Sequence, residues 1–207
     1  SKITIDGVEK LSGCIHEVIP DRIEAGTFLI ASAATLSNIT IGPVIPNHLD
    51  SVLEALKKTG SKIFIQGNKI SIRTDEIKAV NINTAPFPGF PTDLQAPFTV
   101  LMAIAKGESK ISETIYENRM GHVNSLNKMG ASIQLIDNTA IIKGVDKLKA
   151  QNLKGSDLRS TAAMIIAALT AEDTSYVEGL EHLDRGYECF ESKLNMIGAD
   201  VIRNLNK

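Results

Sequence analysis

A pattern that occurs three times along the 207 residues limits the possible folds more than anything else in the sequence. Each copy begins with an aspartate before an apolar stretch and ends with a glycine after an amphipathic stretch. The copies run from Asp21 to Gly60, from Asp93 to Gly130 and from Asp157 to Gly198. Such a repeat indicates a fold that is built from copies of one supersecondary unit. We therefore predict one domain, 1–207, with three units at approximately 15–75, 84–143 and 150–203.

Each unit has the same predicted order of elements. An apolar helix comes first, then a short strand, an amphipathic helix that ends at the glycine as a C-cap, and a closing strand or hairpin. The predicted apolar helices are 25–34, 94–105 and 158–171, and the amphipathic helices are 49–58, 122–129 and 187–196. The predicted hairpins are 63–72 and 133–142, and the third copy has only a short strand, 200–203, before the sequence ends.

The two kinds of helix have different predicted environments. The stretch 161–169 is apolar on all sides, which is typical of a helix that is surrounded by protein, whereas the amphipathic helices fit the surface. The sequence therefore predicts an α/β fold with three buried helices at its centre. If the units are related by approximate threefold symmetry, the N-termini of these helices share one face, where their free N–H groups favour an anion.

The segment before the second apolar helix differs from its counterparts. Residues 85–92 contain three prolines and a glycine, which exclude a helix and a central strand. Asp93 then stands at the start of the helix, where an aspartate is typical of an N-cap, and we expect the same of Asp21 and Asp157. Because only Asp93 follows a rigid loop, the second unit is the predicted place for a bound substrate.

Four arginines lie near the ends of predicted elements, where a guanidinium group is suited to bidentate contacts with phosphate or carboxylate. They are Arg22, Arg119, Arg159 and Arg185. The alternative is that each arginine forms an ion pair with a nearby acid, such as Arg119 with Glu117, or Arg185 with Asp184 or Glu188. We favour anion binding because all four are expected on one face.

Composition excludes several classes of function. The net charge of −2 does not favour nucleic acid or an anionic membrane, and no apolar run approaches the length of a membrane span or a signal peptide. The two cysteines lie far apart, so we expect a reducing cytoplasm. No metal-binding motif or nucleotide-binding loop occurs, and we read His48, His122 and His182 as surface or cap residues. The first five residues alternate like a strand, and we expect the sequence to be cut from a longer chain.

The motifs together resemble those of the enolpyruvyl transferase family over essentially the whole chain. They are 20–27 (PDRIEAGT), 90–96 (FPTDLQA), 117–123 (ENRMGHV), 128–131 (KMGA), 157–159 (DLR) and 184–188 (DRGYE). The resemblance implies an inside-out α/β barrel of three units as one half of a two-domain enzyme, with the active site between the halves. This chain would then be most of one half, with a truncated last unit. The other half would carry a Lys-Asn pair and a general acid, cysteine or aspartate, which Cys14 does not match.

The resemblance also implies an activity. The matching branch transfers the enolpyruvyl group of phosphoenolpyruvate to the 3′-hydroxyl of UDP-N-acetylglucosamine, the first committed step of peptidoglycan synthesis, without a cofactor or a metal. The isolated chain would be inactive. The alternatives are the sister enzyme of the shikimate pathway and a non-catalytic binding domain with the same fold.

Roles for individual residues follow from the resemblance, motif by motif. Asp93 matches the base near the 3′-hydroxyl, and Asp157 matches a residue that steadies developing charge or assists proton transfer. Arg185 would hold phosphoenolpyruvate, with help from Arg119 and Arg159. Thr92 would line the site of the nucleotide sugar, and Ile115 would contact the sugar through its backbone.

Overall fold

The computed structural model describes residues 2–204. Its α-helices are α1 (Arg22–Ala34), α2 (Asp50–Lys58), α3 (Gln95–Ala103), α4 (His122–Lys128), α5 (Leu158–Leu169), α6 (Leu180–Leu183) and α7 (Phe190–Met196). Its strands are β1 (Asn38–Ile41), β2 (Lys62–Gln66), β3 (Lys69–Arg73), β4 (Ile82–Asn83), β5 (Glu108–Ser112), β6 (Ser132–Ile136), β7 (Thr139–Lys143), β8 (Asn152–Lys154) and β9 (Tyr176–Glu178). Short 3-10 turns precede α2 and α3, at Pro46–Leu49 and Thr92–Leu94. No helix in residues 2–204 is long and apolar enough to span a bilayer.

The strands form small sheets that follow the repeat. In the first sheet β3 lies between β1 and β2, and all pairs are antiparallel. In the second sheet β7 lies between β5 and β6 in the same way, and β4 pairs with the outer edge of β5 in parallel. In the third, β8 and β9 form a parallel pair. The predicted hairpins of the first two units are therefore confirmed.

The helices α1, α3 and α5 contact one another at the centre of the core. Every residue of α3 is buried, and most residues of α1 and α5 are buried as well. Phe98 of α3 and Leu29 of α1 are among the side chains with no accessible surface. The prediction of buried apolar helices is therefore confirmed, although α3 is shorter than predicted: residue 94 lies in a 3-10 turn, and the helix ends at Ala103.

The three repeated glycines end their helices in the same way. Gly60, Gly130 and Gly198 have φ angles of 103°, 89° and 98°, which an L side chain rarely adopts. In each copy the glycine N–H and the next N–H donate to carbonyls of the preceding helix turn, as in Ser61 N to Leu56 O at 3.2 Å. These are C-terminal caps of the Schellman type, so the predicted caps are confirmed.

Two predicted strands are absent from the part of the chain that the structure describes. Residues 2–19 are exposed and contain no strand, so the prediction of a strand at residues 1–5 is wrong as far as residues 2–5 show, and Ser1 lies outside the described residues. These side chains alternate, but no other strand pairs with the segment. Residues 200–203 also form no strand.

The third unit nevertheless keeps a local feature of the second. The side chain of Asn127 bonds both the N–H and the carbonyl of Ile133, at 3.0 and 2.9 Å. The side chain of Asn195 bonds both backbone groups of Val201 in the same way, at 2.9 and 2.7 Å. The chain after Gly198 therefore starts along the path that β6 takes in the second unit.

Gly144, just after β7, packs against the backbone of Ala105, just after α3, and this contact gives a prediction for stability. A Cβ atom built on Gly144 would lie 1.6 Å from the carbonyl oxygen of Ala105, so the Gly144→Ala variant must displace backbone. We expect a loss of about 2 kcal/mol or more in the free energy of unfolding. Gly121→Ala is the matched control, because nothing lies within 4 Å of its Cβ position. Urea unfolding followed by far-UV circular dichroism measures both, and equal midpoints would contradict this packing.

Candidate functional site

A groove of about 460 Å³ lies where the start of α5, the turn before α3 and the turn before α4 meet. Its lining carries charge of both signs, which suits a polar or anionic ligand. The lining residues are Asp93, Tyr116, Glu117, Asn118, Arg119, Gly121, Ser156, Asp157, Leu158, Arg159 and Arg185. The groove thus brings together most of the site residues that the sequence predicts.

Asp93 is held between two arginines from different units. Its Oδ1 accepts a hydrogen bond from Arg119 Nη2 at 2.8 Å, and its Oδ2 accepts one from Arg159 Nη2 at 3.0 Å. The arginine side chains are only 23% and 15% exposed, so these ion pairs are poorly screened by solvent. The pair with Arg159 connects the second unit to the third.

The prediction that Asp93 caps its helix is wrong. It lies inside the 3-10 turn before α3, and neither this turn nor α3 has a side-chain cap. Asp21 and Asp157 do cap their helices: Asp21 accepts from Ile23 N at 2.7 Å, and Asp157 forms a capping box with Ser160. The 3-10 turn displaces Asp93 from the capping position and directs its carboxylate towards the arginines instead.

The surroundings of Asp93 favour its ionised form. Partial burial alone would raise the pKa of the carboxyl, but the hydrogen bonds and charges of Arg159 and Arg119 outweigh it and hold the pKa below the ordinary value. Asp93 is therefore a carboxylate at neutral pH. The arginines occupy one site on each oxygen, and each oxygen keeps a further lone pair for a ligand.

Thr92 and Glu113 extend this network to the inside of the protein. The Thr92 hydroxyl accepts from Arg119 Nη1 at 2.9 Å and donates to Glu113 Oε2 at 2.7 Å. The Oε1 atom of Glu113 accepts from Thr84 Oγ1 at 2.8 Å and from the N–H groups of Ile115 and Tyr116 at 2.8 and 3.1 Å. Thr92 and Ile115 thus lie beside the groove rather than in its lining.

The four predicted arginines differ in their surroundings. Arg119 pairs with Asp93 and stacks on Tyr116, whereas Arg159 pairs with Asp93 and lies over Tyr187. Arg185 lines the groove and forms no ion pair within residues 2–204. Arg22 is not in the groove lining but lies 5.2 Å from the ring centre of Phe87 in the proline-rich loop. The alternative pairings with neighbours in sequence are wrong for Arg119 and Arg185.

Asp157 combines its cap with a position in the groove. Burial would raise the pKa of its carboxyl, but bonds from Ser160 and from Arg159 N hold the pKa below the ordinary value. Its charge is therefore already partly balanced by the helix N-terminus.

His122 is not a surface residue, and the prediction is wrong here. Its side chain is 3% exposed, at the first position of α4, and burial lowers its pKa to about 4. The reason is that α4 packs against α5, a contact between distant segments that the sequence does not reveal.

Two residues of the network carried no predicted role. Glu113 has a readable signal, because it continues the alternation of β5 in which Ser109 and Ile111 face inwards, and a charged residue on that face needs partners. Tyr187 is 2% exposed and its hydroxyl bonds Thr27 Oγ1 at 2.8 Å, which links α1 to the segment that supports Arg159. Its contacts are long-range, so only the structure reveals them.

The buried His122 gives a prediction for pH dependence. The unfolded chain takes up a proton near pH 6.5, whereas the folded protein resists it until about pH 4. The free energy of unfolding should therefore fall as the pH drops below 6.5, by about 2 kcal/mol at pH 5 from this group alone. His122→Gln should remove this part of the slope, and His16→Gln, in the exposed N-terminal segment, should keep it. Urea unfolding at several pH values measures how the free energy of unfolding depends on pH. The same dependence in His122→Gln as in the parent would refute the assignment of this effect to His122.

Comparison with known proteins gives close matches over the whole chain. UDP-N-acetylglucosamine 1-carboxyvinyltransferase of Prochlorococcus marinus strain MIT 9312 is 66% identical over 205 residues, which are 99% of this chain and 45% of that protein. The protein of the same name from strain MIT 9301 is 67% identical over 206 residues, 100% of this chain and 45% of that one. The chain spans about half the length of the curated relatives it matches.

Solved structures agree on the fold. The enolpyruvyl transferase NikO from Streptomyces tendae superimposes with a TM-score of 0.80 at 26% identity, covering 88% of this chain and 44% of that one. The EPSP synthase from Acinetobacter baumannii has a TM-score of 0.69 at 16% identity, over 92% and 46% of the two chains. The family model of EPSP synthase (3-phosphoshikimate 1-carboxyvinyltransferase) matches residues 1–194. The chain belongs to this family of carboxyvinyl transferases.

Proposed function

We propose that the protein of which this chain is a part transfers the enolpyruvyl group of phosphoenolpyruvate to the 3′-hydroxyl of UDP-N-acetylglucosamine and releases phosphate. The observation that carries the proposal is Asp93, a carboxylate oriented by Arg119 and Arg159 at the edge of a groove that also contains Arg185. A base beside several guanidinium groups is what an addition to an anionic enol phosphate requires. The reaction would be the first committed step of peptidoglycan synthesis, in the cytoplasm.

The choice of acceptor rests on the relatives. Proteins named for transfer to UDP-N-acetylglucosamine are 66% and 67% identical to the chain, whereas the EPSP synthase from Acinetobacter baumannii is 16% identical and supports the fold alone. Transfer to the shikimate-pathway acceptor is therefore the second candidate. A non-catalytic domain of the same fold is the third, and it would have no need of the partly buried ion pairs around Asp93.

In the proposed mechanism Asp93 receives the proton of the 3′-hydroxyl while the sugar oxygen forms a bond to C2 of phosphoenolpyruvate. A general acid in the other half protonates C3, which gives a tetrahedral ketal phosphate. Cleavage of the C2–O bond to phosphate, with removal of a proton from C3, then yields the enolpyruvyl ether. Asp93 suits the first step because it is ionised at neutral pH and each oxygen keeps a free lone pair.

The other predicted residues would take supporting roles. Arg185, whose guanidinium pairs with no acid in residues 2–204, would bind phosphoenolpyruvate. Arg119 and Arg159 would orient Asp93 and share the negative charge of the substrate, and Asp157 at the start of α5 would steady the charge that develops. Thr92 would line the sugar site. The backbone of Ile115, directed by Glu113, would contact the sugar.

For the architecture, we propose that the three units form an inside-out barrel around α1, α3 and α5, and that the chain is most of one half of a two-domain enzyme. The partner is the other half, which would carry the general acid and close over the groove. Up to residue 204, where the described part of the chain stops, the third unit has no closing hairpin, and a groove of about 1270 Å³ lies between β9, residues 199–204 and the apolar sides of α1 and α5. In the first two units a strand fills the corresponding place.

Hydrogen exchange can test the proposal that a further strand covers the open side of β9 in the full-length protein. The Tyr176 N–H donates to Gln151 O, and the Glu178 carbonyl accepts from the Gly155 N–H, so both residues direct these backbone groups towards β8. Because backbone groups alternate in direction along a strand, the N–H of Val177 between them points away from β8, towards the open groove. We expect its amide to exchange quickly in the isolated chain and slowly in the full-length protein. The amide of Ile39 in β1 is the control, because β3 covers it in both forms. Equal, slow exchange of Val177 in both would contradict the proposal.

The function can be tested with the full-length protein that contains this chain. The full-length protein should release phosphate from phosphoenolpyruvate when UDP-N-acetylglucosamine is the acceptor, but not when the shikimate-pathway acceptor replaces it. The isolated chain should release no phosphate with either acceptor. Asp93→Asn should lower kcat by about 100- to 10,000-fold, because an amide cannot take up the hydroxyl proton.

Asp75→Asn is a matched control for that variant. Asp75 also accepts bonds from two cations, Lys62 and Arg73, at 2.8 and 3.0 Å, but it lies on the surface away from the groove. The Asp75→Asn enzyme should retain full activity. An Asp93→Asn enzyme with unchanged kcat would remove the base assignment, and turnover only with the shikimate-pathway acceptor would favour the second candidate.

A further inference from the structure

Glu113 is a buried carboxylate that reaches three separate segments of the second unit. It is 3% exposed, and all of its partners donate to it. One partner, Thr84, begins the proline-rich segment, and another, Thr92, ends it. The remaining two are the N–H groups of Ile115 and Tyr116, at the start of the turn that carries Arg119.

We infer that Glu113 is the positioning residue of the site, which fixes Thr92, Arg119 and the Ile115 peptide in the arrangement that binds the acceptor. The inference rests on the proposed function and adds to it a residue that does not itself touch the groove. Glu113 acts through Thr92, whose hydroxyl lies between the carboxylate and Arg119.

The direction of the Thr92 hydrogen bond depends on the charge of Glu113. A carboxylate can only accept, so the Thr92 proton points to Glu113 and a lone pair is left to receive Arg119 Nη1. Arg119 is thereby anchored at one nitrogen and presents its other nitrogen to Asp93 Oδ1. Glu113 thus influences the position of the Asp93 carboxylate through Thr92 and Arg119, without contacting Asp93 itself.

Glu113 also sets the backbone after β5. Its Oε1 draws the N–H groups of Ile115 and Tyr116 inwards, and the planar peptide between these residues then directs the Ile115 carbonyl away from Glu113. Thr84 Oγ1, which donates to the same oxygen, accepts from Thr114 N at 2.8 Å and holds the preceding residue. One side chain therefore orients both an arginine and a backbone acceptor.

The Glu113→Gln variant is nearly isosteric but reverses the polarity at one oxygen. An NH₂ group in the place of Oε2 would donate to Thr92 Oγ1, which already receives Arg119, and the Thr92 proton would lose its acceptor. In the other orientation the NH₂ group would meet the three donors at Oε1. Glu108→Gln, on the exposed face of the same strand, is the matched control.

In the full-length protein we expect Glu113→Gln to lower kcat/KM for UDP-N-acetylglucosamine about 10- to 100-fold, with most of the effect in KM for that acceptor. KM for phosphoenolpyruvate should change less, and Glu108→Gln should match the parent. Thr92→Val should reproduce part of the effect and Thr92→Ser should not, and the Glu113→Gln/Thr92→Val double variant should lose less than the product of the two single losses. Additive losses, or a loss in kcat alone with equal KM values, would overturn the inference.

Hydrogen exchange supplies a measurement that does not depend on activity. The amides of Ile115 and Tyr116 should exchange faster in Glu113→Gln than in the parent and in Glu108→Gln, whereas those of β6 should not change. Unchanged exchange at Ile115 and Tyr116 would overturn the inference even if the enzyme is active as proposed. If these amides exchange faster in Glu113→Gln but the parent protein turns over neither acceptor, the proposed function is refuted and Glu113 remains the residue that holds this segment.

Discussion

The central constraint in this protein is that α1, α3 and α5 have almost no solvent-facing side. Helices that are buried along their length leave polar chemistry only at their ends, where backbone N–H groups are free and side chains can reach water. The groove with Asp93, Arg119 and Arg159 lies at such ends. Burial of the helices therefore explains both the stability of the core and the location of the site.

The three units share their helix ends, and the candidate site lies where the second unit differs from the other two. All three glycine-capped helix ends have the same geometry, and Asp21 and Asp157 occupy equivalent caps. Asp93 holds the same place in the sequence, but its carboxylate leaves the backbone and binds two side chains instead. A helix cap and a carboxylate held by two arginines thus occupy one sequence position in different units.

Most of the fold could be predicted from the sequence, because the repeat, the apolar helices and the glycine caps are local patterns. The same locality explains the errors. Whether Asp93 caps its own helix depends on a 3-10 turn and on an arginine from the third unit, and the burial of His122 depends on packing between α4 and α5. Arg119 pairs with an acid from another segment of the chain, which its neighbours in sequence do not reveal.

The two ion pairs of Asp93 make its basicity responsive to what enters the groove. Arg119 and Arg159 hold the pKa of this carboxyl down only while they point at it. A phosphate group that competes for either guanidinium weakens that hold, and the proton affinity of Asp93 rises in consequence. An anionic ligand would in this way raise the basicity of this carboxylate on arrival, whereas in the empty groove Asp93 is ionised and only weakly basic.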